Sequence, residues 1–451
     1  MNRREFVAAC SATALGHHAL PCPGAAPRGL RAPDHALRIA PIDLELAPGK
    51  RVHTIGYNGV VPGPLLRLRE GVPVTIAVTN DSDHPEFVHW HGLEIPPEAD
   101  GAQEQGSKPI TPHGGVLQYS FTPRPAGFRW YHSHTFAGRD LSRSTYSGQF
   151  GFVYVDPGND PGGYDQELFL ALHDWGPYIT GGDDGFENVA YRYSSINDRL
   201  LGHGDPIRVR EGERVLFHLL NASATDSHWL SLAGHQFTVV AMDGNPVPTQ
   251  VTLDVVRLDP GERIDAIVTM TNPGVWILGE ATEEVRSAGM GIVVEYAGRS
   301  GAPRWLTAVN AVRWSYPLFG RKPEGRLPDA QPISLVFQSV FHGHGASEGW
   351  AINGKSFPQT DTVRLTQGQR YRLSFNNQCA EDHPVHLHRH TMEIVSVAGQ
   401  ATSGVRKDVI VVPAHSQVDA DLVADDPGKA LFHCHLQDHM DAGFMMLFDY
   451  A

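Results

Sequence analysis

The sequence predicts an all-β protein built as three consecutive Greek-key β-barrel domains. Three observations carry this expectation. One pattern recurs three times: an alternating strand, a turn at glycine, and a second alternating strand. It is seen in "LLRLREGVPVTIAVTN" (Leu65 to Asn80), "PIRVREGERVLFHLLN" (Pro206 to Asn221) and "TVRLTQGQRYRLSFNN" (Thr362 to Asn377). The turn glycines Gly71, Gly212 and Gly368 are spaced by roughly 150 residues, a period that marks a repeated domain rather than a solenoid unit. Between them lie short alternating runs bounded by Gly, Pro and Asp, with no long helical pattern, which reads as sandwiches or barrels. A chain of 451 residues also fits three domains of roughly 150 residues better than a single core.

Breaks in the pattern set the boundaries. "VDPGNDPGGYD" (Val155 to Asp165) is a turn-rich joint, and residues 298–330, rich in Pro, Gly and Arg, form a longer connector. The expected domains are therefore 35–157, 165–297 and 331–451. Residues 1–30 hold paired arginines (Arg3, Arg4), then Phe6 and a short apolar run. This has the form of a twin-arginine export signal, and predicts a periplasmic or secreted protein that folds around its cofactor before export. Cys22 beside it would suit a lipoprotein anchor, but Pro21 fits that processing poorly. No other apolar stretch approaches the roughly 20 residues that span a bilayer.

The formal charge of −14 argues against a nucleic-acid partner and favours neutral or cationic small molecules. The four cysteines include two in or beside the signal region, so no disulfide framework is expected and Cys379 reads as a buried thiol. A monomer is expected.

Histidine is the outlier, with 25 residues concentrated in clusters. "HWHG" (His89, His91) and "HSH" (His132, His134) lie in the first repeat; "HPVHLHRH" (His383, His386, His388, His390) and "LFHCHLQDHMDAGF" (Leu431 to Phe444) lie in the third. The middle repeat has only scattered histidines, such as His218, His228 and His235. In each H-x-H both rings leave one strand face. His89, His91, His132, His134, His386, His388, His433 and His435 suffice for three coppers with two, three and three imidazoles. Cys434 points away from its neighbours, and with His383 and His439 completes the trigonal set of a blue-copper site.

With these motifs in order, the chain resembles the three-domain multicopper oxidases: laccases, ferroxidases and bilirubin oxidases. The resemblance spans about residue 35 to 451 and implies three cupredoxin-like barrels and four coppers. It assigns His383, Cys434 and His439 to the mononuclear blue copper, and His89 and His386 to the lone copper of a trinuclear cluster. His91, His132 and His435 would hold one copper of the coupled pair, and His134, His388 and His433 the other. His390 matches no ligand position. The backbone would carry electrons from Cys434 to His433 and His435, coupling one-electron oxidation of phenols, aromatic amines or low-valent metal ions to reduction of O2 to water. A cuprous or ferrous oxidase is the alternative within the family. A non-enzymatic exported scaffold is opposed by the intact ligand set, and a two-domain copper nitrite reductase by the third repeat.

Around these sites the resemblance places Phe444 at the axial position of the blue copper, where a phenyl ring cannot coordinate. Met445 would replace it after a one-residue register change. Asp100 matches an acid that donates protons near the cluster. A second family acid is replaced by Met440, with Asp441 as substitute. Arg389 stands where a small residue is usual; a cation there would either order an acid or the exit channel, or cover the domain edge, and the edge is the favoured reading. No methionine-rich insert is present, and the histidine-rich "FHGHG" (Phe341 to Gly345) reads as a solvated loop in preference to a metal-ion site.

Overall fold

The computed structural model describes residues 32–158, 162–181, 187–307, 314–325, 328–341 and 348–450. The twin-arginine stretch and most of the "FHGHG" segment lie outside these residues. The chain is all-β, as its alternating patterns predict, and forms three cupredoxin-like domains in succession, as the resemblance implies.

Residues 35–156 form two four-stranded sheets. One contains His35–Ala47, Lys50–Tyr57, Val74–Asn80 and Gly115–Phe121; the other contains Gly63–Arg69, Val88–His89, Gly127–Ser133 and Phe150–Asp156. His35–Ala47 runs parallel to Val74–Asn80 and antiparallel to Lys50–Tyr57. Leu37, Ile39, Ile76, Val78, Val153 and Val155 fill the space between the sheets, as strands with one buried face require. Residues 166–296 and 331–450 repeat the plan with one six-stranded and one five-stranded sheet each; the hairpin Tyr178–Gly181/Glu187–Ala190 is added to the middle one.

The recurring glycine explains the repeat. Gly71, Gly212 and Gly368 have φ of 72°, 86° and 82°, a left-handed conformation that glycine adopts without steric cost. The strands on either side of each belong to opposite sheets, so the turn carries the chain across the sandwich at the same point in all three domains.

Helices are minor, as expected. Among the described residues the α-helices are Glu283–Ser287 and Gln437–Asp441. Among the described residues no helix is long and apolar enough to cross a membrane.

Candidate metal centre

Two antiparallel strand pairs present the histidines. Val88–His89 pairs with Gly127–Ser133, setting His89 opposite His132; His383–Leu387 pairs with Ala430–Cys434, setting His386 opposite His433 and Val385 opposite Cys434. Directly opposed residues share a face, and alternation brings His134 and His388 to those faces too. The two pairs meet face to face. His89 Nε2 lies 3.3 Å from His386 Nε2 across 297 residues of sequence. His433 Nε2 lies 3.0 Å from His388 Nε2 and 3.5 Å from His134 Nε2.

Hydrogen bonds set the ring orientations. Nδ1 of His89 faces the Asp100 carbonyl and that of His386 the Asp408 carbonyl, each at 2.8 Å. Nδ1 of His132 and of His433 faces the carbonyl of the next residue, also at 2.8 Å. In each, Nδ1–H donates and leaves the Nε2 lone pair for a metal. His91 is reversed: its Nε2 is 3.1 Å from Asp408 Oδ1, and its Nδ1 faces His132 Nε2 at 3.4 Å. Burial, followed by the neighbouring rings, holds His91, His134, His386, His388 and His435 well below the ordinary histidine pKa. Burial pulls His433 down to about 4. The rings are therefore neutral at pH 7 and available as ligands.

Donor atoms of His134, His388 and His433 lie within 4.8 Å of one another, as do those of His89, His386 and His388, and of His89, His91 and His132. His435 is beside this cluster rather than within such a group. Its ring centroid is 5.2 Å from that of His91 and 5.4 Å from that of His132. Both its nitrogens are buried without a hydrogen-bond partner.

On the other side of the Ala430–Cys434 strand, Cys434 Sγ lies 3.9 Å from His383 Nδ1 and 3.6 Å from His439 Nδ1. The helix Gln437–Asp441 turns the chain back so that His439, five residues on, returns to the thiol. Phe444 is fully buried, its ring 4.9 Å from the His383 ring. Met445 pairs with His433 and packs with Ala102, Leu431 and Met440, in a cluster separate from Cys434. Burial pushes the Cys434 thiol up, a shift that a bound cation opposes. Buried imidazoles gathered beside one thiol, with His383 Nε2 and both His435 nitrogens lacking any hydrogen-bond partner, fit copper.

Asp100 is fully buried, with Oδ2 2.6 Å from His388 Nδ1 and 3.4 Å from His89 Nδ1. Gln105, which carries no signal in the sequence, donates Nε2 to the same oxygen at 2.6 Å. Asp441 is engaged away from the cluster. Its carboxylate accepts the Ala137 and Gly138 N–H groups at 3.0 and 2.7 Å, and burial raises its pKa to about 6. His390 is occupied by the His388 carbonyl and the Tyr450 hydroxyl. Cys379 is buried outside both sites.

Arg389 corrects an expectation. It does not cover an edge: it is 1 % exposed, has φ 64°, and ties Ile95 O to Asp426 Oδ2, Pro427 O and Lys429 O at 2.6–2.9 Å. A long cation bridging two segments of the chain can be buried because each of its three guanidinium nitrogens finds an oxygen.

Two further residues are not evident from sequence. Asp408, against His91, sits in the unremarkable run "VRKDVIVV". Glu381 Oε2 is 3.4 Å from His439 Nε2, and its side chain is 55 % exposed. It is the acidic, solvent-reaching edge of the thiolate site. In the middle domain His228 bridges Asp174 and Glu280, and His218 bridges Asp265 and Glu167. These rings are ion-pair partners.

Comparison with known proteins agrees with this geometry. Models of multicopper oxidase domains match residues 39–160, 193–291 and 327–451. The multicopper oxidase MmcO of Mycobacterium tuberculosis is 30% identical over 441 residues, covering 89% of this chain and 84% of that one. The crystal structure of a multicopper oxidase from Pseudomonas thermotolerans superposes with a TM-score of 0.73 at 27% identity, over 92% of this chain and 98% of the other. Fet3p, described as a multicopper oxidase that functions in iron import, shares the fold, with a TM-score of 0.79 at 19% identity over 92% of this chain and 90% of its own. With all three domains matched and histidine clusters that suit copper, the chain belongs to the multicopper oxidase family, copper oxidoreductases that take electrons one at a time from a reducing substrate and pass them to O2.

Proposed function

We propose that this protein is a laccase-like oxidase with four coppers, exported by the twin-arginine route to the periplasm and acting there as a monomer. The proposed domains are 35–157, 165–297 and 331–451, with a signal at 1–30. His383, Cys434 and His439 form the mononuclear blue site and Phe444 its non-coordinating axial face. His89 and His386 hold the lone copper of the trinuclear site; His91, His132 and His435, and His134, His388 and His433, hold the coupled pair. When bound, these ions supply one-electron oxidation at the first site and four-electron reduction of O2 to water at the second.

The observation that carries this reading is the placement of Cys434 between His433 on the same strand and His435 just past the strand's end. Its thiol faces His383 and His439 while His433 faces the opposite cluster, so one peptide segment joins both sites. His439 brings its Nε2 to the edge where Glu381 meets solvent, and that is where a reducing substrate approaches. Asp100 holds His388 and His89 in orientation, and its Oδ1 is the proton-donating oxygen in this reading.

Phenols and aromatic amines are the expected donors. The half-exposed Glu381 carboxylate supports a second reading, a ferrous or cuprous oxidase, because it attracts a cation to the same edge. Oxygen consumption with a phenol, Fe(II) and Cu(I) in turn distinguishes them: kcat/KM highest for the phenol supports the first reading, and highest for a metal ion the second. Absence of oxygen uptake with every donor overturns both.

A further inference from the structure

Among the described residues the middle domain contributes to none of the groups that could hold a metal, yet it packs a set of charges against the histidine cluster. Asp408 presents Oδ1 to His91 Nε2 at 3.1 Å, and both its oxygens are gripped by Arg263 of the middle domain, Nη1 and Nη2 each at 2.5 Å. Arg129, from the first domain, is 3.5 Å from Asp408 Oδ2. Asp243 accepts the backbone N–H groups of Asp408 and Val409 at 3.2 and 3.1 Å and pairs with Lys407 at 2.9 Å. Lys407 in turn pairs with Glu262 at 2.9 Å, and Tyr316 donates its hydroxyl to Glu262 at 2.7 Å. All these groups are buried, and three cations face three carboxylates.

Buried ion pairs cost desolvation, and well-packed apolar residues often hold an interface as well or better. What this network does that apolar packing cannot is fix one ring. A carboxylate on Nε2 keeps the His91 proton there and turns the Nδ1 lone pair toward His132. The two-pronged guanidinium contact prevents the carboxylate from rotating away. The fit is tight: a Cβ on Gly92 would lie 2.6 Å from Asp408 Oδ2 and 2.7 Å from Arg263 Nη2. The same middle-domain turn also reaches His435. Gly261, at φ 85°, lies so close that a Cβ there would come within 2.7 Å of His435 Cδ2.

We propose that the Gly261–Arg263 turn of the middle domain is a positioning element of the trinuclear site: Arg263 clamps Asp408 so that His91 presents Nδ1, and Gly261 leaves room for the His435 ring. This rests on the assignment of His91, His132 and His435 to one copper of the pair.

Arg263→Lys in the full chain keeps the charge and removes the fork. In copper-free protein with nitrogen-15 histidine, the His91 ring nitrogens, identified by their absence in His91→Gln, are expected to lose their single-tautomer shifts. In copper-loaded protein, affinity for the pair is expected to fall about 10–100-fold, the range for partners of a ligating histidine. The fraction of copper visible by electron paramagnetic resonance should rise as magnetic coupling is lost, while blue absorption per protein stays constant. Tyr316→Phe, at the far end of the same network, is expected to lower the melting temperature and leave the tautomer and the pair unchanged. Asp408→Asn, which keeps an acceptor for His91 but breaks the carboxylate–guanidinium pair, gives the same reading as Arg263→Lys should that variant not fold.

Unchanged His91 shifts and pair affinity within twofold in Arg263→Lys would overturn the inference. So would parallel loss of blue colour, pair and melting temperature in Arg263→Lys and Tyr316→Phe, which would make the network simple scaffolding. A wild-type protein that binds no coupled pair would overturn the copper assignment itself, a separate outcome.

Discussion

Phe444→Met changes one contact of the thiolate site. The Phe444 ring is fully buried, 4.9 Å from the His383 ring and 4.9 Å from Phe337. It offers no lone pair and keeps water from that face, so the more highly charged oxidised copper is poorly stabilised there. Methionine is close in volume and flexible, so the swap costs less than about 1.5 kcal/mol of stability. It places a thioether beside His383 and Cys434, a weak axial ligand that favours the oxidised ion. In a one-electron couple 59 mV is a tenfold change in equilibrium constant, so a fall on the order of 100 mV corresponds to about 2.3 kcal/mol. Redox titration of the blue band in both proteins measures it, and oxidation of phenols of high potential should slow in parallel. An unchanged or higher potential in Phe444→Met would refute the axial placement of residue 444.

His89→Gln and His386→Gln should each lose one copper and oxygen reduction while retaining the blue band, because their Nε2 atoms face each other at 3.3 Å on the side of the strand away from Cys434; copper analysis with visible spectra checks both. Glu381→Gln removes the carboxylate at His439 Nε2, so KM for Fe(II) should rise several-fold with little change for a neutral phenol; equal changes for both donors would contradict a charge effect. His228, despite burial, is raised to about 10 by Asp174 and Glu280. Its ion pairs therefore stabilise the fold fully below the unfolded value near 6.5, and the gain is lost as pH rises to about 10. His228→Gln should cost about 3 kcal/mol at pH 6, the difference from wild type shrinking by pH 10 in denaturant titrations.

Much of the architecture is legible in the sequence because its signals are local. Alternation and left-handed glycines act over a few residues, so Gly71, Gly212 and Gly368 mark three sheet-to-sheet crossings by their spacing and flanking pattern alone. The H-x-H and H-C-H spacings work the same way, since a strand forces His433 and Cys434 apart. What the sequence hides is long-range. Asp408 meets His91 across 317 residues and Arg263 meets Asp408 across 145, and no spacing rule links them. Arg389 reads as a surface cation because arginine usually is one, and the Asp426 carboxylate with the carbonyls of Ile95, Pro427 and Lys429 makes its burial possible. Glu381 lies two residues before His383 in sequence, but its meeting with His439 depends on the helix Gln437–Asp441.

In this reading Cys434 binds one copper while its neighbours serve a separate cluster. Copper analysis combined with the visible spectrum of oxidised wild-type protein and of Cys434→Ser separates the two roles. Wild type should bind about four coppers and be blue. Cys434→Ser should be colourless and inactive, yet keep about three coppers, since His433 and His388 face the opposite side of the strand. A colourless wild type with four coppers bound, or a Cys434→Ser protein that loses the whole set while remaining folded, would contradict it.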